Sequence, residues 1–338
     1  MPRILDSGKS LRGTCPHTRP YETEDLVDGE GWPGRVGASL LPTLGDLVAP
    51  DRRELDLLDP DSIRRVVRNI RSQLIVNAAA YTAVDAAESD EAHARAVNAI
   101  APAVLAEEAK KLDTAIVHYS TDYVFDGAKA APYEEVDPAN PISVYGKTKL
   151  AGEQAIRNTG VPHLIFRTAW FYATRGRNFL LTILRLATEK EELRIVRDQI
   201  GAPTWSLEIA AATTKIVAQV VERGSATSAF SEVSGTYHLT AAGETTWYDF
   251  ARAIIEEASH TSQSIPWFAA ATSGRPLATR HIIPITAQEY PTAAARPAYS
   301  VLSNSRVVQK FGVVLPDWRT QMQRCFVSES IPAKLLAD

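Results

Sequence analysis

The chain has 338 residues, 45% of them hydrophobic and 22% charged, with a formal net charge of −4. Acidic and basic residues are interspersed, so nothing argues for nucleic acid or an anionic membrane as a partner, although a local basic pocket for a phosphorylated small molecule stays open. The two cysteines, the lack of an apolar run near the roughly 20 residues a bilayer needs, and the polar N-terminus argue against a disulfide framework, a zinc site or a secretory signal. They lead to the expectation of a cytoplasmic protein.

The first apolar stretch is "RIL" at 3–5, followed at once by "DSGKS". Glycines recur at Gly31, Gly34 and Gly37 in "GWPGRVG". Glycine lets backbone amides approach a pyrophosphate, and a following helix N-terminus favours its charge. Such a loop should follow an apolar strand, and "YETEDLVDGE" is a poor one. The favoured reading therefore makes Gly8-Lys9-Ser10 the first half of a phosphate loop, Gly34-Arg35-Val36-Gly37 the second, and residues 11–33 an insertion between them. The alternative starts the loop at Gly31. "GDLVAP" (45–50) then reads as a strand leading into "PDRRELDL". There Asp51 can hold a ribose 2′-hydroxyl and Arg52 a 2′-phosphate, so both NADPH and NADH are expected to serve. Asp56 and Leu57 would lie near the adenine. A solvated charge run is the competing reading.

"DPDSIRRVVRNIRSQ" (59–73) carries a capping Asp and helical spacing at Ile63, Val66, Val67 and Ile70. "LIVNAAA" (74–80) reads as a buried strand, residues 88–112 as a long helix bent at Pro102, and "AIVHYSTDYVF" (115–125) as the next strand. A loop over 126–143 precedes a helix, and "HLIFRTAWFY" (163–172) is a further strand. Strands alternating with helices predict an α/β fold with a doubly wound, Rossmann-like parallel sheet covered on both faces. Ligands then bind at the carboxyl ends of the strands, where Asn77–Tyr81, Ser120–Asp122 and Thr168–Trp170 converge. Helices over 178–190, 206–223 and 245–259 follow, with short strands between them and a Pro/Ala-rich stretch at 284–298. The expected organisation is a dinucleotide-binding domain over 1–172, to which residues 205–240 return, and a smaller substrate domain over 173–204 and 241–338.

In "PISVYGKTKLAGEQA" (141–155) Tyr145 and Lys149 stand four apart. On a helix that spacing puts both on one face. Reducing a carbonyl by hydride needs a proton for the developing alkoxide, and a free phenol with a pKa of about 10 is a weak acid. A neighbouring ammonium is expected to lower that value. The lysine can also hold a nicotinamide ribose, and the Thr121 hydroxyl would complete a site for the substrate oxygen. Y-x-x-x-K arises by chance on many helices, and it gains weight here from the upstream "STD", "NAAAYT" and glycine loop. Asn178 is either a diphosphate contact at a helix start or an N-cap. Arg296 is either a diphosphate partner or a surface arginine. His118 reads as a core histidine, Trp247 and Tyr248 as packing, and Cys325 as a core thiol.

"NAAAYTAVDAAES", "HYSTDYVFDG", "YGKTKLAGE", "FRTAWFY", "NFLLTILRLA" and "DQIGAPT", with "TTWYDFA" and "ARPAYSVL" further on, resemble the extended short-chain dehydrogenases/reductases. Within them they resemble the dTDP-4-dehydrorhamnose reductases, from about residue 34 to 327. The resemblance implies NADPH- or NADH-dependent reduction of the C4 carbonyl of dTDP-4-dehydro-L-rhamnose, a dTDP-linked 6-deoxy-4-keto sugar. It implies Tyr145 as proton donor, with Lys149 and Thr121 beside it, and Thr121, Asp122 and Trp170 around the deoxysugar. Gly34, Arg35, Val36, Asp51, Asp56, Leu57, Ala80, Tyr81 and Thr82 match the dinucleotide site, and Tyr119 would line the nicotinamide pocket. A homodimer is the expected assembly. Members that bind a divalent ion at a dimer contact carry a Glu where this chain has Ser39, so no metal is expected. The rival readings are another nucleotide-sugar 4-ketoreductase and a non-catalytic regulatory protein on the same fold. The intact Tyr145, Lys149 and Thr121 speak against the second of these, and the interrupted glycine loop speaks for it.

Overall fold

The computed structural model describes residues 3–6, 44–224 and 226–328. The glycine loop (Gly8, Gly31, Gly34, Arg35, Val36, Gly37), residues 11–33, Ser39 and Cys15 lie outside the described residues. Six parallel strands form the main sheet in the order β2-β1-β3-β4-β5-β6. They are β1 (Arg3–Asp6), β2 (Asp46–Val48), β3 (Leu74–Asn77), β4 (Ala115–Thr121), β5 (His163–Thr168) and β6 (Gly235–His238). The apolar "RIL" is thus in a central strand, between β2 and β3. The chain steps outward from β1 to β2, then returns to the other side of β1 for β3. That reversal makes a switch point where open α/β sheets take their ligands.

Successive strand residues feed opposite faces. Val76, Val117, Leu164 and Phe166 pack with Ile209, Ile216, Val217, Phe230, Val307 and Phe311 on one side. Ile75, Ile116 and Ile165 pack with Ile63, Val67, Leu105 and Ile156 on the other. Each such residue, fully buried, contributes about 2 kcal/mol, which explains the near-continuous apolar strands. Helix α1 (Pro60–Ile70) opens where Asp59 accepts the Asp61 amide. Helix α2 (Ala101–Lys111) and α3 (Val144–Thr159) cover this second face. The bend expected at Pro102 is a π-helical turn, Ala96–Ile100, with Pro102 in the first turn of α2.

A further core gathers Tyr172, Leu180, Leu184, Trp205, Phe250, Ile254, Phe268, Met322, Cys325 and Phe326. It is built from α4 (Phe179–Glu189), α5 (Ser206–Val221), α6 (Trp247–His260) and α7 (Trp318–Val327). Helix α5 gives Ile209 and Ile216 to the sheet core and Leu207 and Ala210 to this one, so a single helix joins the two. Three of the expected strands are shorter than their apolar runs. β3 stops at Asn77, and β4 stops at Thr121, where a 3₁₀ turn, Asp122–Val124, begins. β5 stops at Thr168, and Phe171–Tyr172 pairs separately with Thr204–Trp205. Trp170 between them has φ +41, which no strand continues through. Residues 294–302 run across both parts. The Ala294 amide donates to Asp85 Oδ1 (3.0 Å), Ile200 bridges Tyr299, and Tyr133 bridges Leu302.

Candidate active site

Because every strand is parallel, Asn77, Thr121, Thr168 and His238 end on one rim, with Asn77 level with His118 and Thr121 level with Thr168. Helix α3 leans over that rim. Ser143 caps it, accepting the Gly146 amide (3.1 Å), just before Tyr145. The close approach depends on two glycines. A Cβ on Gly146 would stand 2.1 Å from the Tyr123 carbonyl oxygen, and one on Gly152 2.2 Å from that of Asn98. Real side chains do not come that near, so Tyr145 and Lys149 can sit over the strand ends only with glycine at these positions.

Tyr145, Lys149 and Thr121 are all buried, and the helix brings the first two together as their spacing requires. Lys149 Nζ donates to the Tyr119 carbonyl (2.7 Å). Burial lowers its pKa to about 8, against the pull of Glu153 one turn on. The expectation that a nearby ammonium lowers Tyr145 is corrected. Burial raises the phenol above its ordinary value, the nearby Thr121 hydroxyl pulls it partly back, and Asp122 adds to the rise. Low dielectric favours the neutral form of both groups. Beneath them Asn77 Nδ2 lies 3.1 Å from His118 Nδ1, and burial first, then Lys149, holds His118 well below its ordinary value. Glu153 is fully buried. Burial opposes its ionisation, but a bidentate pair with Arg167 (2.9 and 2.7 Å) keeps it lowered.

Thr121 closes the 3₁₀ turn, accepting the Tyr123 amide (3.2 Å) and donating to Asp122 Oδ1 (3.0 Å). Asp122 is buried, and burial raises its pKa to about 7 against bonds from Ser300 and Thr121. Its Oδ2 and the Thr168 hydroxyl are buried without a hydrogen-bond partner among the described residues. Orphaned buried polar atoms at the rim of a switch point are what a polar ligand would satisfy. Trp170 reaches the same rim, half-buried.

Other expected residues take different work. The Tyr119 ring does not line the rim. It packs with Phe166 on the α5 side of the sheet and donates its hydroxyl to Thr213 (2.9 Å), so this residue serves the site through its carbonyl. Asn178 is the N-cap of α4. Its Oδ1 accepts the Leu181 amide (3.2 Å) and its Nδ2 donates to the carbonyls of Ala173 and Arg175. Arg296, half-buried, pairs with Asp85 (2.7 Å) at one end of residues 294–302.

Asp51 Oδ1 accepts the Arg53 and Glu54 amides (2.8 and 3.1 Å), shaping the turn after β2, with Arg52 half-buried beside it. Asp56 Oδ1 caps the Leu58 amide (2.9 Å), and Leu57 packs in the core under the turn. Ala80 is half-buried and Thr82 exposed, flanking the buried Tyr81. Gly34, Arg35 and Val36 lie outside the described residues.

Two residues were missed by the sequence argument, Asn98 and Ser300. Asn98, in the π turn, accepts the Tyr81 amide (2.9 Å) and donates to the Tyr81 carbonyl (3.1 Å) and Thr148 (3.2 Å). It ties the loop after β3 to α3, and its signal was one Asn inside the otherwise apolar "AVNAIAPAV". Ser300 bonds Asp122, and Trp247, read as a packing residue, does pack, stacked on Trp170; neither partner has a local signature in the sequence. Among the described residues no three His, Cys, Asp or Glu side chains are grouped to hold a metal ion, and no helix is long and apolar enough to cross a membrane.

Residues 29–330 match the family described as RmlD substrate binding domain. A dTDP-4-dehydrorhamnose reductase of Burkholderia thailandensis is 48% identical over 303 residues, covering 89% of this chain and 97% of that protein. The protein of that description from Escherichia coli K12 is 41% identical over 301 residues, covering 87% and 94%. The solved structure of a dTDP-4-dehydrorhamnose reductase from Bacillus anthracis, in complex with NADP, superposes with a TM-score of 0.76 at 28% identity, covering 96% of this chain and 99% of that one.

Proposed function

The chain belongs to the RmlD substrate binding domain family, and we propose on that premise which of its residues carry out the reaction. The protein is an NADPH- or NADH-dependent oxidoreductase that reduces the C4 carbonyl of dTDP-4-dehydro-L-rhamnose to give dTDP-L-rhamnose, with its relatives' identity and coverage as the warrant. The observation that carries the residue roles is the buried Tyr145–Lys149 pair on one face of α3, over the carboxyl ends of β3 and β4.

The bound coenzyme supplies hydride. Tyr145 holds the proton and gives it from its hydroxyl to the C4 oxygen as that oxygen becomes an alkoxide. A phenol raised by burial is fully protonated at neutral pH, the state a donor needs. Thr121, in contact distance of both Tyr145 and Asp122, steadies the same oxygen. Lys149, anchored at the Tyr119 carbonyl, presents its ammonium to the nicotinamide ribose and stabilises the phenolate left once Tyr145 has given up its proton. Asp122 accepts a sugar hydroxyl at Oδ2, and Trp170 walls the deoxysugar.

Asp51 and Arg52 read the adenosine ribose, Ala80, Tyr81 and Thr82 border it, and Gly34, Arg35 and Val36 hold the pyrophosphate. Residues 1–172 with 205–240 form the coenzyme domain, and 173–204 with 241–338 the smaller domain that meets the sugar from the other side of Asp122 and Trp170. A cytoplasmic homodimer is the assembly we infer. Spectrophotometric oxidation of NADPH and of NADH, with dTDP-4-dehydrorhamnose beside a panel of other dTDP-4-keto sugars, tests this. Turnover is expected with the rhamnose precursor, and no oxidation of either coenzyme with it would defeat the reading.

A further inference from the structure

Trp170 is a bulky residue in a conformation that side chains rarely adopt, at φ +41. Such a backbone persists only where its surroundings over-determine it. Three contacts do so here. The Trp170 carbonyl accepts the Thr204 amide (3.2 Å), which pins the chain. Its indole stacks on that of Trp247, with ring centroids 3.5 Å apart and planes 2° from parallel. Gly201 lies against the ring, where an added Cβ would come within 2.3 Å of Trp170 Cε2.

Trp247 is itself held. It is the first residue of α6, whose cap is Thr246 accepting the Asp249 amide (3.0 Å). The Phe179 ring packs on it at 4.5 Å. Ile200–Gly201 pairs with Thr245–Thr246, so the glycine and the stacking tryptophan move as one piece. Both indoles are half-buried.

We propose that Trp247 is a positioning residue: with Gly201 leaving room for the ring, it fixes the plane of the Trp170 indole and thereby where the sugar ring sits. This rests on the reading that Trp170 walls the deoxysugar. The ring partners of Trp247 are Trp170 and Phe179 rather than Tyr145, Lys149 or Thr121, so its effect is expected to fall on sugar binding rather than on proton transfer.

The test uses the full chain with Trp247→Leu, Trp247→Phe, Gly201→Ala, Trp170→Ala and the double variant Trp170→Ala/Trp247→Leu. It reads KM for the dTDP-sugar, kcat, NADPH affinity and circular dichroism, where two stacked indoles give a coupled pair of bands. Trp247→Leu should abolish those bands and raise KM roughly tenfold, with kcat and NADPH affinity moving far less. Trp247→Phe, still able to stack, should recover most of the KM. The double variant should be no worse than Trp170→Ala alone, because both substitutions remove one arrangement. Gly201→Ala keeps Trp247 and displaces the ring, so it should raise KM even if Trp247→Leu fails to fold. A KM within about twofold of wild type in both Trp247→Leu and Gly201→Ala, or additive losses in the double variant, overturns the proposal. A KM unmoved by Trp170→Ala instead overturns the sugar-binding reading of Trp170, which is a separate failure.

Discussion

Tyr145 and Lys149 are moved in opposite directions by one cause. Burial raises the phenol and lowers the ammonium, since each is driven towards its neutral form. Replacing Tyr145 with Phe removes the proton and little else. The kcat of Tyr145→Phe should therefore fall by about a hundredfold or more, with NADPH affinity by titration unchanged; near-normal turnover would remove Tyr145 from the chemistry. Asp122 offers a test that needs no substrate. Its pKa is raised to about 7 in the fold. The stability it contributes is therefore full while both states are protonated, below about pH 4, and is lost as pH rises through about 7. Asn mimics the protonated acid. The stability advantage of Asp122→Asn, read from melts across pH, should be near zero at the acid end, grow with pH, and level off above neutrality at up to about 4 kcal/mol. A Tm difference that ignores pH would show that Asp122 is not titrating in this way. The spacing of Tyr145 and Lys149 was legible because helical periodicity is local. The direction of the phenol's shift was not, because burial is supplied by segments distant in sequence. Asn178 had two local readings of equal standing, and only the cap geometry separates them.

Helix α3 is positioned by contacts at its far side as much as by the sheet. Asn98 satisfies the buried Tyr81 amide and carbonyl and reaches Thr148, so one side chain joins three segments. Asn98→Ala would strand two buried backbone groups, each costing about 1–3 kcal/mol. The expected outcome is a Tm lowered by several degrees and weaker NADPH binding, because Tyr81 lies in the loop proposed to border the coenzyme. Thermal melts with and without NADPH check this, and an unchanged melt would show the Asn98 bonds to be dispensable. Alternating strands and helices could be read from the pattern, since apolar strands and amphipathic helices carry their own periods. Where strands stop could not. β4 and β5 end at Thr121 and Thr168 inside apolar runs, where the 3₁₀ turn and the positive φ of Trp170 are imposed by tertiary contacts.

The residues proposed for coenzyme and for sugar share one rim of the sheet. The switch between β1 and β3 lies at one side of it, and the turn with Asp51 and Arg52 follows the outermost strand, β2. A coenzyme whose nicotinamide lies near Lys149 would put its adenosine towards that edge. Arg52→Ala should therefore weaken NADPH roughly tenfold while leaving NADH nearly unchanged, the loss expected for one charge-assisted contact. Equal losses for both coenzymes, measured by titration, would place Arg52 away from the 2′ position. At this scale the parallel sheet followed from the alternation of elements, whereas the route of residues 294–302 did not. A Pro/Ala-rich stretch carries no periodicity to read, and its partners, Asp85, Tyr133 and Ile200, are scattered over the chain.

That route has a consequence for synthesis. All six strands of the sheet have been made once the ribosome has passed His238. Arg296, which meets Asp85, and Ser300, which meets Asp122, come more than fifty residues later. A nascent chain has all the strands of its sheet while the residues that meet Asp85 and Asp122 are still unmade. A premature stop between the two points therefore leaves all six strands made but takes Val307 and Phe311 from the core on one face of the sheet, together with the contact that Ser300 makes to Asp122.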